Sequence, residues 1–495
     1  MNLADERLKE LDKPSLTASE RARLRCSVAS DFIHKGQYEA ARETLGELWP
    51  GIGERPDVKD LPPAVAAEVL LQCGALTGLF GVARNVPGIQ ERAKDLLTEA
   101  VRTFKSLGMY QKASEAQCEL GACYWRLGAH DDARVIMREA LKPLSTADVE
   151  LKARIHIRRT LVEISENRYN EALNILKDAE PVFQSANDAL KGRWHGQRAI
   201  IYLKLSATEH RADYADRAII EFTAAIYHYE QAKHERYCAQ NLNNLAFLFY
   251  KLSRLREAHE HLDRAQLIFT KLKDPGNLAQ VDETRARVLV AEKRYRDADR
   301  IMAGVIQTLE QGGEAALLAD ALTVQGIVRA RIGSFDSSIN ILTRAMNLAQ
   351  DSGAPTSAGL AALTLIEEHG ATWRLSEPEL VKLYRRADYL LKDTQGAEDI
   401  ARLRECARIV IKRLSGMQLH DRNFSFYGAV HELEARLIEQ ALELEGGSIS
   451  RAAKRLGLKH QSLSHMLHAR HNKLLDKRTP PTPRKQSIIK KRPKD

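Results

Sequence analysis

A signature that returns about every 40 residues limits most strongly what this chain can fold into: a small or polar residue, then an aromatic or leucine, then a small residue three positions on. It reads Gly36-Gln37-Tyr38 with Ala41, Asn167-Arg168-Tyr169 with Ala172, Ser253-Arg254-Leu255 with Ala258, Lys293-Arg294-Tyr295 with Ala298, and Gly333-Ser334-Phe335 with Ser338. A looser copy is Gly128 with Ala133. Seven residues past the alanine a second small residue often follows, as at Ala140, Ala179, Ala225, Ala265 and Ala345. Two helices packed at such a point must approach closely, which only small side chains permit.

Before each turn runs an amphipathic stretch. In Ala239 to Leu252 the residues Leu242, Leu245, Ala246, Phe249 and Leu252 recur at helical spacing. Each unit is therefore a helical hairpin. One hairpin cannot bury both its faces, so neighbours must stack. Composition agrees, because Ala, Leu, Arg, Glu and Lys dominate and aromatic residues make up only 6% of the chain. The expected class is all-α. On these turns and small-residue positions, residues 18 to 395 resemble tetratricopeptide repeats, although that family's period is about 34 and these helices are longer. Leu61 to Gly108 is the least regular part, with Pro62-Pro63 opening a helix and Asn85-Val86-Pro87-Gly88 lengthening the turn.

The resemblance implies a superhelix whose concave groove holds a peptide, a protein or a small ligand. A spacer or dimerisation scaffold is the competing use. Tyr202, Tyr227, Tyr229, Tyr237, Asn241, Asn244 and Tyr250 make the middle units richest in aromatic and amide groups. Asn241 and Asn244 lie one turn apart, where paired amides could bond a partner's backbone. Tyr237, Asn241 and Asn244 are therefore the candidate partner-binding residues, with ordinary packing between repeats as the alternative.

The chain's net charge of +9 is concentrated at one end. Residues 446–495 carry 14 Lys and Arg against Asp476 and Asp495, a local +12 that leaves −3 for the rest. A polyanion partner is the reading this favours over a merely solvated charge run. Just before that region, Val430, Leu433, Leu437, Ile438, Ala441 and Leu442 share one face of a helix from about Tyr427 to Glu445, after a lead-in Arg422-Asn423-Phe424-Ser425-Phe426. Gly446-Gly447 ends that helix, and Ser448 suits the N-cap of the next. From Ser448 to His471 a helix-turn-helix register is met. Ala453 is small where the two helices meet, Gly457 permits the tight turn, Leu458 is expected to plug the core after it, and Leu463, Met466 and Leu467 anchor the second helix.

Residues 426 to 475 resemble the Fis family of bacterial DNA-binding domains through Leu437-Ile438-Glu439-Gln440-Ala441-Leu442, Gly446-Gly447, Arg451-Ala452-Ala453-Lys454-Arg455-Leu456-Gly457-Leu458 and Ser462-Leu463. That family implies an operator-binding or DNA-bending unit, usually dimeric and often appended to transcriptional activators. With Leu463, Met466 and Leu467 turned inward, Lys459, His460, Gln461, Ser464, His465 and His468 are the candidate base-reading residues. Gln461 has the amide geometry for adenine, and Lys459 and His460 suit guanine or phosphate. Arg451, Lys454, Arg455, Arg470 and Lys473 flank that face and are the candidate backbone contacts. Where Fis relatives are basic on the reading helix, this chain has serine and histidines.

His465, His468 and His471 drift around the helix with no Cys, Asp or Glu to complete a shell, so neither a metal nor any other cofactor is expected. The six cysteines, Cys26, Cys73, Cys118, Cys123, Cys238 and Cys406, form no CxxC pair and read as small buried hydrophobes. No GxxxxGK[ST] or GxGxxG pattern occurs, His431-Glu432 lacks the second histidine of a zincin, and no enzyme is expected. Residues 1 to 25 have no signal-like run, and no later stretch reads as a membrane span, so the expectation is a cytoplasmic protein with no membrane partner.

The expected layout is a lead at 1–17, the repeat array at 18–395, a connecting helix at 396–420, the Fis-type helix-turn-helix at 421–476 and a basic disordered tail at 477–495. The tail holds Thr479-Pro480-Pro481-Thr482-Pro483 and Lys490-Lys491-Arg492, too polar to bury a core. The function this supports is a DNA-binding transcription regulator, a possible homodimer, that binds double-stranded DNA with one end and a protein or peptide with the other. An interaction adaptor with weak or no DNA binding, and a nucleoid-type architectural binder, are the alternatives.

Overall fold

The structure, a computed structural model, describes residues 15–34, 36–84, 88–209, 212–312, 315–372, 374–394, 396–414 and 425–477. Among these every regular element is helical. By their contacts they fall into two units, 1–369 with 382–405 and 370–381 with 406–495. All of the expected basic tail but Lys477, most of the N-terminal lead, the start of the lead-in before Ser425 and the Asn85-Val86-Pro87 stretch lie outside the described residues.

The first unit is a succession of antiparallel helical hairpins of the tetratricopeptide kind. In order they are α1 (Ala18–His34) with α2 (Tyr38–Leu45), α3 (Pro63–Arg84) with α4 (Ile89–Ser106), α5 (Tyr110–Arg126) with α6 (His130–Leu141), and α7 (Val149–Ser165) with α8 (Tyr169–Asp178) and the short α9 (Glu180–Gln184). Then come α10 (Asp188–Glu209) with α11 (Ala212–Gln231), α12 (Glu235–Lys251) with α13 (Leu255–Lys271), α14 (Pro275–Ala291) with α15 (Tyr295–Gly312), and α16 (Ala315–Arg331) with α17 (Phe335–Asp351). The helices α18 (Pro355–His369), α19 (Glu377–Leu390) and α20 (Ala397–Leu414) follow.

From α12 onward the sequence repeat becomes a metrical one. The helices α12, α13, α14, α16 and α17 each have 17 residues, three-residue links precede all of these but α16, and also precede α15 and α18, and the link residue with positive φ falls at Lys233, Ser253, Lys273, Lys293, Gly333 and Gly353 (53°, 57°, 53°, 60°, 90° and 74°). Each link closes the helix before it in the same way. The amide one residue on reaches back to a carbonyl in the last turn, as in His234 N to Tyr229 O (2.9 Å), Arg254 N to Phe249 O (2.9 Å) and Arg294 N to Leu289 O (2.8 Å). This bond satisfies carbonyls that a helix end leaves open, and it fixes the direction in which the next helix departs.

The small residues of the signature sit where helices touch. Ala41, Ala133, Ala172, Ala258, Ala298 and Ser338 are fully buried, as are Ala140, Ala225, Ala265 and Ala345. At Gly326 a Cβ would stand 2.4 Å from Leu342 Cγ, so α16 and α17 approach more closely than any side chain there would allow. Large side chains fill the remaining space, with Phe104, Phe183, Phe222 and Phe269 wholly enclosed. Each such side chain contributes on the order of 2–3 kcal/mol of burial. All six cysteines are buried and unbridged.

Residues 63–80 of α3, with a mean hydropathy of 1.4, are long and apolar enough to cross a membrane. They are instead a core helix of the array, 72% buried within it, with Val65, Val69, Leu70, Leu76 and Phe80 packed against its neighbours. The sequence around Leu61 to Gly108, irregular as text, thus forms a full hairpin, its first helix apolar nearly all round and its second amphipathic.

Candidate nucleic-acid interface

In the second unit, α21 (Phe426–Leu444) opens where Ser425 Oγ accepts from Gly428 N at 3.1 Å. It closes through Gly446 and Gly447, both at positive φ (57° and 77°), with Gly447 N donating to Leu442 O at 2.7 Å. The chain then enters α22 (Ile449–Arg455) from Ser448, which takes the N-cap position with extended backbone but makes no hydroxyl cap. Gly457 turns at φ 67°, where no neighbouring atom crowds a Cβ; the backbone, and not the space, requires glycine there. After Lys459 comes α23 (His460–Ala469).

Three helices this short hold together through one small core. Ile438, Ala441 and Leu442 of α21, Ala452 and Ala453 of α22, and Leu463 and Leu467 of α23 are all buried, with Met466, Leu456, Leu474 and Leu475 packed against them. Ala452 and Ala453 let α22 lie close on α21 and α23, as the helix-turn-helix register demands.

Two predicted core positions are not in this core. Leu458 is 37% exposed: after the left-handed turn at Gly457 its amide donates to Ala453 O (2.8 Å) and its side chain swings outward, and Leu456 fills the space instead. Likewise the predicted apolar face of α21 divides. Ile438, Ala441 and Leu442 face inward, whereas Val430, Leu433 (54% exposed) and Leu437 form a second, open stripe with Tyr427 and Leu444.

Of the candidate reading residues, Lys459, His460, Gln461, His465 and His468 are exposed and Ser464 is half-buried. They share α23 and the residue before it, opposite Leu463 and Leu467. His471, by contrast, turns inward, its Nε2 3.3 Å from a Glu434 oxygen and its ring edge-on to His431, so it leaves the row of histidines.

The candidate backbone residues are all exposed, and they differ in their partners. Glu445 gathers two of them, with Arg455 Nε at 2.7 Å and Arg451 Nε at 3.3 Å, while Arg451 also donates to the Glu445 carbonyl at 2.9 Å. Arg470 lies 3.7 Å from Glu434. Among the described residues no carboxylate pairs with Lys454, Lys459 or Lys473. Sequence reasoning missed Glu445, the residue just after α21 that braces two arginines; its signal was an acid directly before the Gly-Gly turn. It also missed Lys477, which bridges Glu439 and Glu443 at 2.6 Å each and ties the end of the unit to α21.

The three candidate partner-binding residues of the array are placed differently. Asn241 is buried, its Nδ2 donates to Tyr237 O of its own helix at 2.8 Å, and its Oδ1 lies 2.9 Å from where a Cβ on Gly196 would stand. Its amide serves to pack α12 on α10, which corrects the expected amide pair. Asn244 is half-buried, and Tyr237 faces a cavity. Tyr202 and Tyr229 are core residues, while Tyr227 is exposed.

Residues 429–465 match a family described as bacterial regulatory protein, Fis family. No curated protein matches the chain. Among solved structures it is similar to aspartyl phosphate phosphatase F from Bacillus subtilis, at 15% identity over 70% of this chain and 88% of that one, with a TM-score of 0.47. A Rap protein complexed with competence and sporulation factor gives 15% identity over 74% and 100% with a TM-score of 0.45, and yeast Tom70 gives 14% over 84% and 86% with 0.43. At these scores the likenesses carry no weight for function. The helices, their small core and the family match agree, and the chain, helical in every regular element among its described residues, carries a Fis-type helix-turn-helix at residues 429–465.

Proposed function

We propose that the protein is a DNA-binding regulator: α23 enters the major groove of duplex DNA, and the hairpin array binds a protein or peptide in its groove. The observation that carries this is the exposed polar face of α23, flanked by lysines that no acid of the described chain neutralises. Lys459, His460, Gln461, Ser464, His465 and His468 read base edges in this reading, Gln461 pairing with adenine N6 and N7. Arg451, Lys454, Arg455, Arg470 and Lys473 hold phosphates, the first two arginines pre-aimed by Glu445.

A homodimer fits the same reading. Tyr427 (78% exposed), Val430, Leu433 and Leu437 follow one another at three- and four-residue spacing along α21, with Leu444 seven residues further on, and a second copy of the stripe would cover them. Two reading helices would then meet two half-sites, and a partner held by the array would act by changing their spacing. In this proposal the array spans 18–395 and the reader 421–476, in a cytoplasmic protein that performs no catalytic step.

Selection from a pool of randomised duplexes tests the proposal, using the full chain and a truncation ending at Glu445 at two salt concentrations. The full chain should enrich a sequence and the truncation should lose it. If neither binds, the interaction-adaptor reading replaces this one; if the full chain binds without enrichment, it is an architectural binder.

A further inference from the structure

Within the array, a number of cations are matched by an acid from an adjoining helix. Arg134 Nε meets Glu163 at 2.8 Å, Arg264 meets Glu230 at 2.8 Å, Arg344 meets Glu310 at 2.7 Å, and Arg402 meets Glu367 at 2.8 Å. At one place several cations lie together without such a match. A cavity of about 380 Å³ is lined by Arg126 of α5, Arg154 and Arg158 of α7 and Arg193 of α10, against only Glu119 and Glu150. Arg158 takes Glu119 at 2.5 Å, and Glu150 accepts from Asn187 Nδ2 at 2.7 Å. Among the described residues Arg126, Arg154 and Arg193 make no ion pair with a carboxylate. Arg154 turns to the His34 ring, Arg193 stands 5.6 Å over the Tyr237 ring, and Arg126 lies 6.0 Å from the Trp125 ring.

We infer that this cavity is a binding pocket for a small anionic ligand, a phosphate or carboxylate head on an aromatic or apolar body. The inference rests on the reading of the array as a binding groove and supplies the chemistry of what one part of it takes. Three unneutralised guanidiniums converging on a partly enclosed space repel one another, and an anion among them removes that repulsion. Guanidinium forks also meet the oxygens of phosphate and carboxylate two at a time, which fixes the head group in orientation. The wall also holds apolar and aromatic side chains, Trp125, Ile157, Leu161 and Leu190 among them, and Tyr38 interacts with Tyr237. That wall suits the body of a ligand of the size such a volume admits.

The electrostatics of the lining groups agree. Burial and the neighbouring Arg158 charge hold the Arg126 pKa below the ordinary guanidinium value. Burial would raise Glu119, yet Arg158, Arg126, Arg154 and His34 more than offset it and keep that carboxylate below its usual range. One carboxylate thus serves several cations, which leaves charge over for a ligand.

Calorimetric titration of the full chain with sodium pyrophosphate and, separately, citrate tests the pocket. The expected result is saturable binding to at least one probe, weakened by salt; pyrophosphate alone assigns a phosphate head, citrate alone a carboxylate. R126Q/R193Q should lose affinity by about tenfold for each guanidinium removed. R126K, which keeps the charge and loses the fork, should weaken binding with the melting profile intact, and R344Q, outside the pocket, should bind as the parent does. No saturable binding to either probe, or equal binding by R126Q/R193Q and R126K, overturns the proposal. Duplex affinity measured with and without saturating probe separates the two readings. A probe that binds yet leaves duplex affinity unchanged leaves the pocket standing and removes its link to DNA. A peptide captured equally by the parent and R126Q/R193Q keeps the groove and removes the pocket.

Discussion

The hairpin array and the helix-turn-helix use their positive charge in opposite ways. In the array, arginines and lysines reach acids about 34 to 37 residues away: Arg264 to Glu230, Lys271 to Glu235, Arg344 to Glu310 and Arg331 to Glu368. That separation is one hairpin, so these pairs stitch neighbouring repeats together. Exposed pairs of this kind are worth under about 1 kcal/mol each, so their effect is on register more than on stability. Around α23 the lysines have no such partner, and the charge faces outward. Paired charge sets the register between neighbouring repeats, whereas charge left open suits the polyanion proposed for the reader; the arginine pocket shares that openness within the array.

That contrast is broken most sharply through the cores. Leu463→Ala removes a wholly buried side chain from a core of only a few residues and should cost about 2–5 kcal/mol. A unit with so small a core has little stability in reserve. Calorimetry should show the reader's transition lost while the array's stays in place, together with loss of duplex binding. Gly326→Val drives a side chain into Leu342 and should lower the array's stability by about 1–3 kcal/mol, with duplex affinity unchanged in binding assays below the new midpoint. If either substitution moves both transitions together, the two regions are not separate in the sense argued. A smaller effect of opposite sign is expected at the links. Lys293 holds φ 60°, a conformation glycine adopts without penalty, so Lys293→Gly should stabilise the array by about 1 kcal/mol in denaturant unfolding.

How much of this was legible in the sequence follows from what each residue must do locally. The hairpins were, because Ala258, Ala298 and Ser338 must be small wherever helices cross, and that demand leaves a periodic mark. The reader was as well, since Ala453, Gly457 and Leu463 satisfy constraints a few residues apart. What was hidden depends on direction or on distant neighbours. Helical spacing puts Leu433 and Leu437 on an apolar face but does not say which part of that face the core covers. Leu458 follows a turn residue whose backbone geometry, invisible in the letters, aims it outward. Asn241 is set by Gly196 on another helix. The unpaired arginines were the hardest to see, because among 75 basic residues a free one is recognised only once the facing helix is known.

The central claim, that the reader's open lysines are reserved for a polyanion while the array's cations are not, is tested most directly by the salt dependence of duplex binding. Affinity is measured from low to physiological salt for the full chain, for Lys454→Ala with Lys473→Ala, and for Arg264→Ala with Arg344→Ala. Removing one phosphate-binding cation lowers the slope of log affinity against log salt by about 0.9, so the lysine variant should fall by about 1.8 and the arginine variant should keep the parent's slope. Equal slopes for the lysine variant and the parent, or a matching fall in the arginine variant, would contradict the account.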